Sequence, residues 1–469
     1  MEDFSDDPQI PDYLPSVFWE SSPVLTSIFE AAKNRPCAPD SVLHAMLARL
    51  SACLDPSVRL HLPFASSKPA SCYAGIFGNP GSGKGEAEAL AEKLLPFGSL
   101  DREHIAMIKL ATPEGLVQAY MVCEESTNDI TGETISHMVQ AYRRGYVLET
   151  EGSVFTAMAR KEDSKFNGLL CGMWMSEEAG STLANAEKSR LLEKGSYTVG
   201  MSLSVQLEPA AQLLAMKSVG LPQRLAWAHA RPQADDTYEG VDVTNFTSLE
   251  QFADLMVVPD PLTAELDGER IRLGAWAMRL KDLDIQPTLT MAKELFMLIN
   301  HRRDVHELDV HEPLWKNRYT MLMALLHGET EISDLHWWQA NVMWDTSRAV
   351  RQLVERAVLE NAAAERNQDA LNRAASAATV QEALTGVNPV VVNLAKAIHR
   401  HVVRNDGQVN QRQARQRCTN SRLRSAYGEH DVPLWDAAMA YAKEQKWIRT
   451  SMAKGEKVIS LGIRTPGGE

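Results

Sequence analysis

Residues 73–96 read Tyr-Ala-Gly-Ile-Phe, then Gly78-Asn79-Pro80-Gly81-Ser82-Gly83-Lys84-Gly85, then Glu86-Ala-Glu-Ala-Leu-Ala-Glu-Lys-Leu-Leu-Pro96. A short apolar strand runs into a glycine-rich turn that opens a helix, which is the setting a phosphate-binding loop requires. Glycines let backbone N–H groups turn inward toward a polyphosphate. The helix N-terminus adds its dipole and its unpaired donors. Lys84 has the reach for β- and γ-phosphates, and Gly78–Glu86 form the expected nucleotide-binding segment. The usual pattern ends in Ser or Thr, whose hydroxyl ligates Mg²⁺. Gly85 stands there instead. The same spacing could also serve as a bare strand-to-helix turn.

The rest of the chain bounds the class. Its 469 residues allow two or three domains with sizeable cores. No apolar run reaches membrane-spanning length, and the first residues, Met1-Glu-Asp-Phe-Ser-Asp-Asp, are acidic rather than signal-like. A cytoplasmic protein with no membrane partner is the default expectation. Six scattered cysteines form no C-x-x-C pair, so neither a zinc framework of that type nor a disulfide framework is indicated. The net charge of −13 argues against indiscriminate nucleic-acid binding. That charge is uneven. Residues 391–465 hold 14 Lys/Arg against 6 Asp/Glu, a balance of +8 that leaves −21 for the remainder. A basic module on an acidic body is the implied layout.

Strand-like runs alternate with helical periodicity up to about residue 230, which predicts a mainly parallel sheet covered by helices. Helices are expected over 113–123 and 133–143. The expected fold class is α/β, a P-loop core with a parallel sheet, then a helical region and a winged-helix-like C-terminal domain. The division reads 1–65 helical lead-in, 66–235 ATPase core, 236–387 hairpin, helices and linker, and 388–469 basic module. In that module three helices and a hairpin match a winged-helix layout. Arg412, Arg415, Arg417, Arg422 and Arg424 cluster within 13 residues as DNA-contact candidates, and a capping or interaction module is the plainer alternative.

Phosphoanhydride hydrolysis needs a carboxylate near the metal, a group that orients water and a cation for developing charge. Tyr146-Val-Leu-Glu149-Thr-Glu151 offers the first two, with Glu149 toward Mg²⁺ and Glu151 polarising water. A solvated pair of strand-end acids is the plainer reading. Gln206, at the end of a later strand, suits a γ-phosphate sensor. Arg224 is the leading candidate for a cation given to a neighbouring subunit, with Arg190 next.

Together these segments, with Phe18-Trp19-Glu20, Ser204-Val-Gln-Leu-Glu-Pro209 and Gly220-Leu-Pro-Gln-Arg-Leu-Ala-Trp227, resemble the RecA-like, helicase-type ATPases of phages, plasmids and mobile elements, relatives of primase–helicases. The likeness spans roughly residues 15–360. It implies an ATP- and Mg²⁺-dependent DNA helicase or translocase assembled as a ring, a hexamer in the usual case, working on single-stranded or forked DNA beside replication proteins. Gly85 and Glu149, where Asp is more usual, depart from the pattern and bear on hydrolysis more than on binding. An ATP-dependent replication initiator or loader that does not translocate, and a nucleotide-dependent scaffold, remain alternatives.

Overall fold

The computed structural model describes residues 12–33, 35–97, 104–110, 112–127, 134–150, 152, 165–181, 189–215, 220–231, 263–266, 269–300, 305–385, 388–419, 431–453 and 455–467. The chain divides into two compact units, residues 1–360 and 361–469. The division falls at Glu360 rather than near residue 388, and the helical lead-in belongs to the first unit.

The first unit is mixed α/β. Its strands include, in chain order, β1 (Cys72–Phe77), β2 (Ile105–Ile108), β3 (Met121–Thr127), β4 (Thr134–Gln140), β5 (Arg144–Glu149), β6 (Thr198–Val205) and β7 (Leu225–His229). Five of them form one all-parallel sheet in the order β7-β1-β6-β5-β2. Strands covered on both faces read as near-continuous apolar runs, and β6 is buried at all eight positions. The order is compatible with a RecA-like core.

The helices of this unit include α1 (Pro23–Lys33), α2 (Pro39–Cys53), α3 (Lys84–Leu94), α4 (Lys165–Trp174), α5 (Leu207–Ala215), α6 (Leu289–Asn300), α7 (Glu312–Leu326) and the part of α8 (Asp334–Thr385) up to Glu360. Alternation along the strands sorts side chains to two cores. Ala74, Ile76, Tyr146 and Ala226 join α1, α2, α3 and α7 in one. Tyr73, Val147, Met201 and Trp227 join α4, α5 and Val350 and Val354 of α8 in the other. The anchors Phe18 and Trp19 are buried in the first core, as are Trp337 and Trp344.

All fifteen residues of α2 are buried, because it runs between the sheet and the outer helices. Some of its polar groups are matched inside. Ser51 Oγ donates to Ala70 O at 2.6 Å, and Arg49 Nε donates to Leu95 O at 3.0 Å. The Arg49 guanidinium also lies over the Phe97 ring at 4.0 Å. The edge strand β7 is closed by α8, whose Ser347 Oγ accepts the Trp227 N–H at 2.8 Å.

Two expected helices are corrected. The helix starting at Pro113 stops at Gln118, and 134–143 is not helical. Instead β3 and β4 pair antiparallel from Met121↔Gln140 to Thr127↔Thr134. Thr134-Ile-Ser-His-Met-Val-Gln carries three β-branched residues, Thr134, Ile135 and Val139, which suit a pleated ribbon better than a helix.

The second unit carries α9 (Pro389–Val403), β8 (Gln408–Asn410), α10 (Gln411–Cys418), α11 (Asp431–Glu444), β9 (Ile448–Ala453) and β10 (Glu456–Leu461). Its three strands are antiparallel in the order β8-β10-β9. Leu394, Ile398, Trp435, Met439, Trp447 and Ile459 centre its core. No described helix of the protein is long and apolar enough to cross a membrane.

At one point α2 meets the sheet backbone to backbone. A Cβ on Gly200 would lie 1.9 Å from Ala48 O and 3.1 Å from Ala52 Cβ. Gly200→Ala should therefore force α2 off β6 and destabilise the first unit by about 1–3 kcal/mol. Urea unfolding followed by tryptophan fluorescence measures this. Unchanged stability would show that the helix gives way freely.

Candidate functional site

The glycine-rich loop leaves the carboxyl end of β1. Chain connections from β1 lead toward β2 at one edge, whereas those from β6 lead to β7 at the other. Neighbouring strands whose connections depart in opposite directions leave a crevice at their carboxyl ends, where ligands of open α/β sheets sit. Gly78–Gly85 and Gln206 flank that crevice. Gly78 N–H donates to Val205 O at 3.0 Å and ties the start of the loop to the end of β6.

The loop's shape follows from its glycines. Gly81 has φ +74° and Gly83 φ +95°, both in the left-handed region. A Cβ on Gly83 would lie 1.9 Å from Pro36 O, so the segment before α2 rests directly on the loop. Gly83 caps α3, and the Ala87 N–H to Gly83 O bond at 2.9 Å opens the helix. Around Gly85 a Cβ would meet nothing within 4 Å.

Lys84 is only 9% exposed. Its Nζ donates to Gly78 O at 2.6 Å and Asn79 O at 2.8 Å, and lies 3.4 Å from Ser82 Oγ. The ammonium is thus folded back on the loop's own carbonyls, and burial lowers its pKa. Asn79, Pro80, Gly81 and Gly85 are exposed, and Ser82 is buried. Glu86 pairs with Arg35, which flanks the loop from the segment before α2.

One turn beyond Lys84 on the same face of α3 lies Glu88, 6% exposed. It accepts from Ser202 Oγ of β6, and Tyr146 Oη of β5 lies 3.5 Å from its other oxygen. Burial pushes its carboxyl up to about 7, and the Ser202 bond, the Arg49 charge and Tyr146 hold it from rising further. Sequence reasoning missed both Arg35 and Glu88. The signal for Glu88 was available, an acid four residues after the loop lysine.

The other expected residues divide. Glu149 ends β5 and is half-buried, level with Leu203 of β6. Alternation along β5 sets it on the face opposite Tyr146, and so opposite α3. Glu151 lies outside the described residues. Gln206 directly follows β6, half-buried, and its carbonyl accepts the Ala210 N–H at 2.8 Å at the start of α5. So Lys84, Gln206 and Glu149 stand at the carboxyl ends of three adjacent strands, β1, β6 and β5.

Arg224, the expected cation for a neighbouring subunit, does not join them. It precedes β7 at the amino end of the sheet, since Leu225 is level with Tyr73. It is 8% exposed, donates to Gly220 O at 2.5 Å, and lies 5.3 Å from the Trp174 ring centroid. Arg318 covers the same indole at 3.5 Å. A guanidinium held against its own core is not placed to reach another subunit. Arg190 is half-buried, and its Nε donates to Gln118.

In the second unit Arg412 and Arg417 are exposed on α10, and Arg415 is half-buried. Asn410 Oδ1 caps this helix by accepting the Arg412 N–H at 2.8 Å. Arg412, Arg415 and Lys457 share a groove with Asp436 and Glu456, so its charge is mixed. Arg422 and Arg424 lie outside the described residues.

Comparison of the chain with protein-family models and with curated proteins gave no match.

The Glu88 cluster sets a pH dependence. Between roughly pH 4.5 and 7 the folded chain holds a proton on Glu88 that the unfolded chain releases, so this group's contribution to stability falls as pH rises through that window. Glu88→Gln should remove part of the decline, on the order of a few kcal/mol between pH 5 and 8. Urea midpoints at the two pH values test this. Parallel profiles for wild type and variant would contradict it.

Proposed function

We propose that the chain is an ATPase that binds the triphosphate at Gly78–Lys84 and couples its hydrolysis to work on DNA, as a helicase or translocase. The observation that carries this reading is the loop itself. Two left-handed glycines, a glycine with no room for a side chain and a buried lysine meet at the head of α3, on the crevice between β1 and β6.

The residues present fit a polyphosphate. The α3 N-terminus starts at a glycine with no side-chain cap, which leaves its first N–H groups for an anion. Lys84 would exchange the Gly78 and Asn79 carbonyls for phosphate oxygens, a stronger charge-assisted contact. ATP would supply the phosphoanhydride bond and Mg²⁺ the charge that offsets it. Gln206 is the group positioned to sense the terminal phosphate. Glu149 is the described carboxylate nearest in the fold to a metal-holding role, although its face of β5 makes the approach indirect. Gly85 offers the metal no hydroxyl. Arg35, anchored by Glu86 beside the loop, is a cation available within the same subunit.

The second unit supports a DNA-directed reading. Its helix–strand–helix–helix–strand–strand order fits a winged helix, and Arg412 and Arg417 face solvent on α10. The burial of Arg224 favours a second reading, an ATP-dependent initiator or loader that does not translocate, because a ring motor draws a cation from its neighbour.

Lys84→Ala should lower ATP hydrolysis roughly a hundredfold or more while the fold persists. Gly85→Ser should fold normally, since nothing lies within 4 Å of the new Cβ, and should strengthen the Mg²⁺ dependence of nucleotide binding. Steady-state ATPase assays with and without single-stranded DNA, alongside unwinding of a forked duplex and particle mass, check both readings. Undiminished hydrolysis by folded Lys84→Ala would remove the loop assignment. DNA-stimulated ATPase without unwinding would select the loader.

A further inference from the structure

The turn between α7 and α8 is built to a fixed shape. His327 caps α7, Gly328 takes φ +76°, and Glu329 N–H returns to Ala324 O at 2.9 Å. At the other end His336 Nδ1 accepts the Ser333 N–H at 3.1 Å and closes the first turn of α8. These two devices bring His327, Glu329 and His336 together, with one ligand atom of each within 4.8 Å of the others.

The separations have the size of a metal site. His327 Nδ1 and His336 Nε2 are 3.1 Å apart, and His336 Nε2 is 3.6 Å from Glu329 Oε2. A tetrahedral ion with bonds of about 2.0–2.1 Å has ligand edges of about 3.3 Å. His327 Nε2 lies 3.1 Å from Ser22 Oγ, a support of the kind that fixes a ligating imidazole's tautomer and aims its other nitrogen inward. The two histidines are 4% and 1% exposed, whereas the Glu329 side chain is 55% exposed and opens the cluster to solvent.

We propose that His327, Glu329 and His336 form a divalent-metal site of the zinc class, which clamps the α7–α8 turn to the N-terminal segment through Ser22. Two imidazoles and a carboxylate make a borderline donor set that suits Zn²⁺ or Co²⁺ better than Mg²⁺ or Ca²⁺. As placed, His336 carries its proton on Nε2, directed at His327 Nδ1, because its Nδ1 accepts a backbone N–H. On metal binding that proton moves to Nδ1, so the Ser333 N–H gives up its acceptor and Ser333 Oγ at 3.2 Å takes the new Nδ1–H, with no net proton released. The site shares no residue with the glycine-rich loop, and the role assigned to it is structural.

The test uses the untagged full chain, freed of metal with a chelator and studied without nucleotide. Zn²⁺ titration by calorimetry should show one equivalent bound and a raised thermal midpoint. Co²⁺ should give the visible absorption bands of a tetrahedral nitrogen/oxygen site. His327→Ala should abolish both. His336 also caps α8 and its loss risks the fold, so exposed Glu329→Gln is the second variant, with affinity lowered tenfold or more and the fold intact. Absence of stoichiometric uptake in the wild type, or uptake undiminished in both variants, would overturn the proposal and leave the cluster as a hydrogen-bonded helix cap.

Discussion

The glycine-rich loop keeps its form because two backbones meet where no side chain has room. Pro36 O rests on Gly83, and from there the chain enters α2, anchored by the Ala38 N–H to Ala230 O bond at 3.0 Å. Ala230 in turn donates to Phe77 O at 2.8 Å. The loop, the start of α2 and the end of β7 thus form one hydrogen-bonded seam at the carboxyl edge of the sheet. Farther along, α2 meets β6 at Gly200 by the same means. A helix buried along its whole length sets the height at which α3, and with it Lys84, stands over the sheet.

Buried charge is the second organising theme. Lys84, Glu88, Arg49, Arg224 and Arg318 are all removed from water or nearly so, and three kinds of partner meet them. Carbonyls hold Lys84, hydroxyls hold Glu88, and ring faces hold Arg49, Arg224 and Arg318. Arg318 is the extreme case. Burial and the nearby Arg224 push its guanidinium down to about 9. That the ammonium at the β1–β6 crevice is held by carbonyls and a hydroxyl matters most for the proposed function, because such partners are readily exchanged for a stronger anion.

Much of the fold was legible from periodicity and punctuation. The strand Cys72–Phe77 matched its apolar run to the residue, because glycine and proline bound it sharply. Helices with a clear apolar stripe, such as α2 and α9, were also readable. The β3–β4 ribbon was not, since short segments rich in Thr, Val and Glu fit either a helix or a strand until a partner strand is known. Arg224 was misjudged for a related reason. Its turn reads as surface, and only tertiary packing under Trp174 shows otherwise. His327, Glu329 and His336 stayed invisible because their meeting depends on two helix-end motifs rather than on any ligand spacing of a familiar kind.

The central claim is that this loop holds a nucleoside triphosphate. Hydrogen–deuterium exchange of the full chain with and without ATP and Mg²⁺ tests it most directly. The account predicts slowed exchange concentrated in peptides covering 78–88, with a smaller effect around 204–210, where Gln206 follows β6. Unchanged exchange over 78–88 at saturating ATP, or protection confined to another part of the chain, would contradict it.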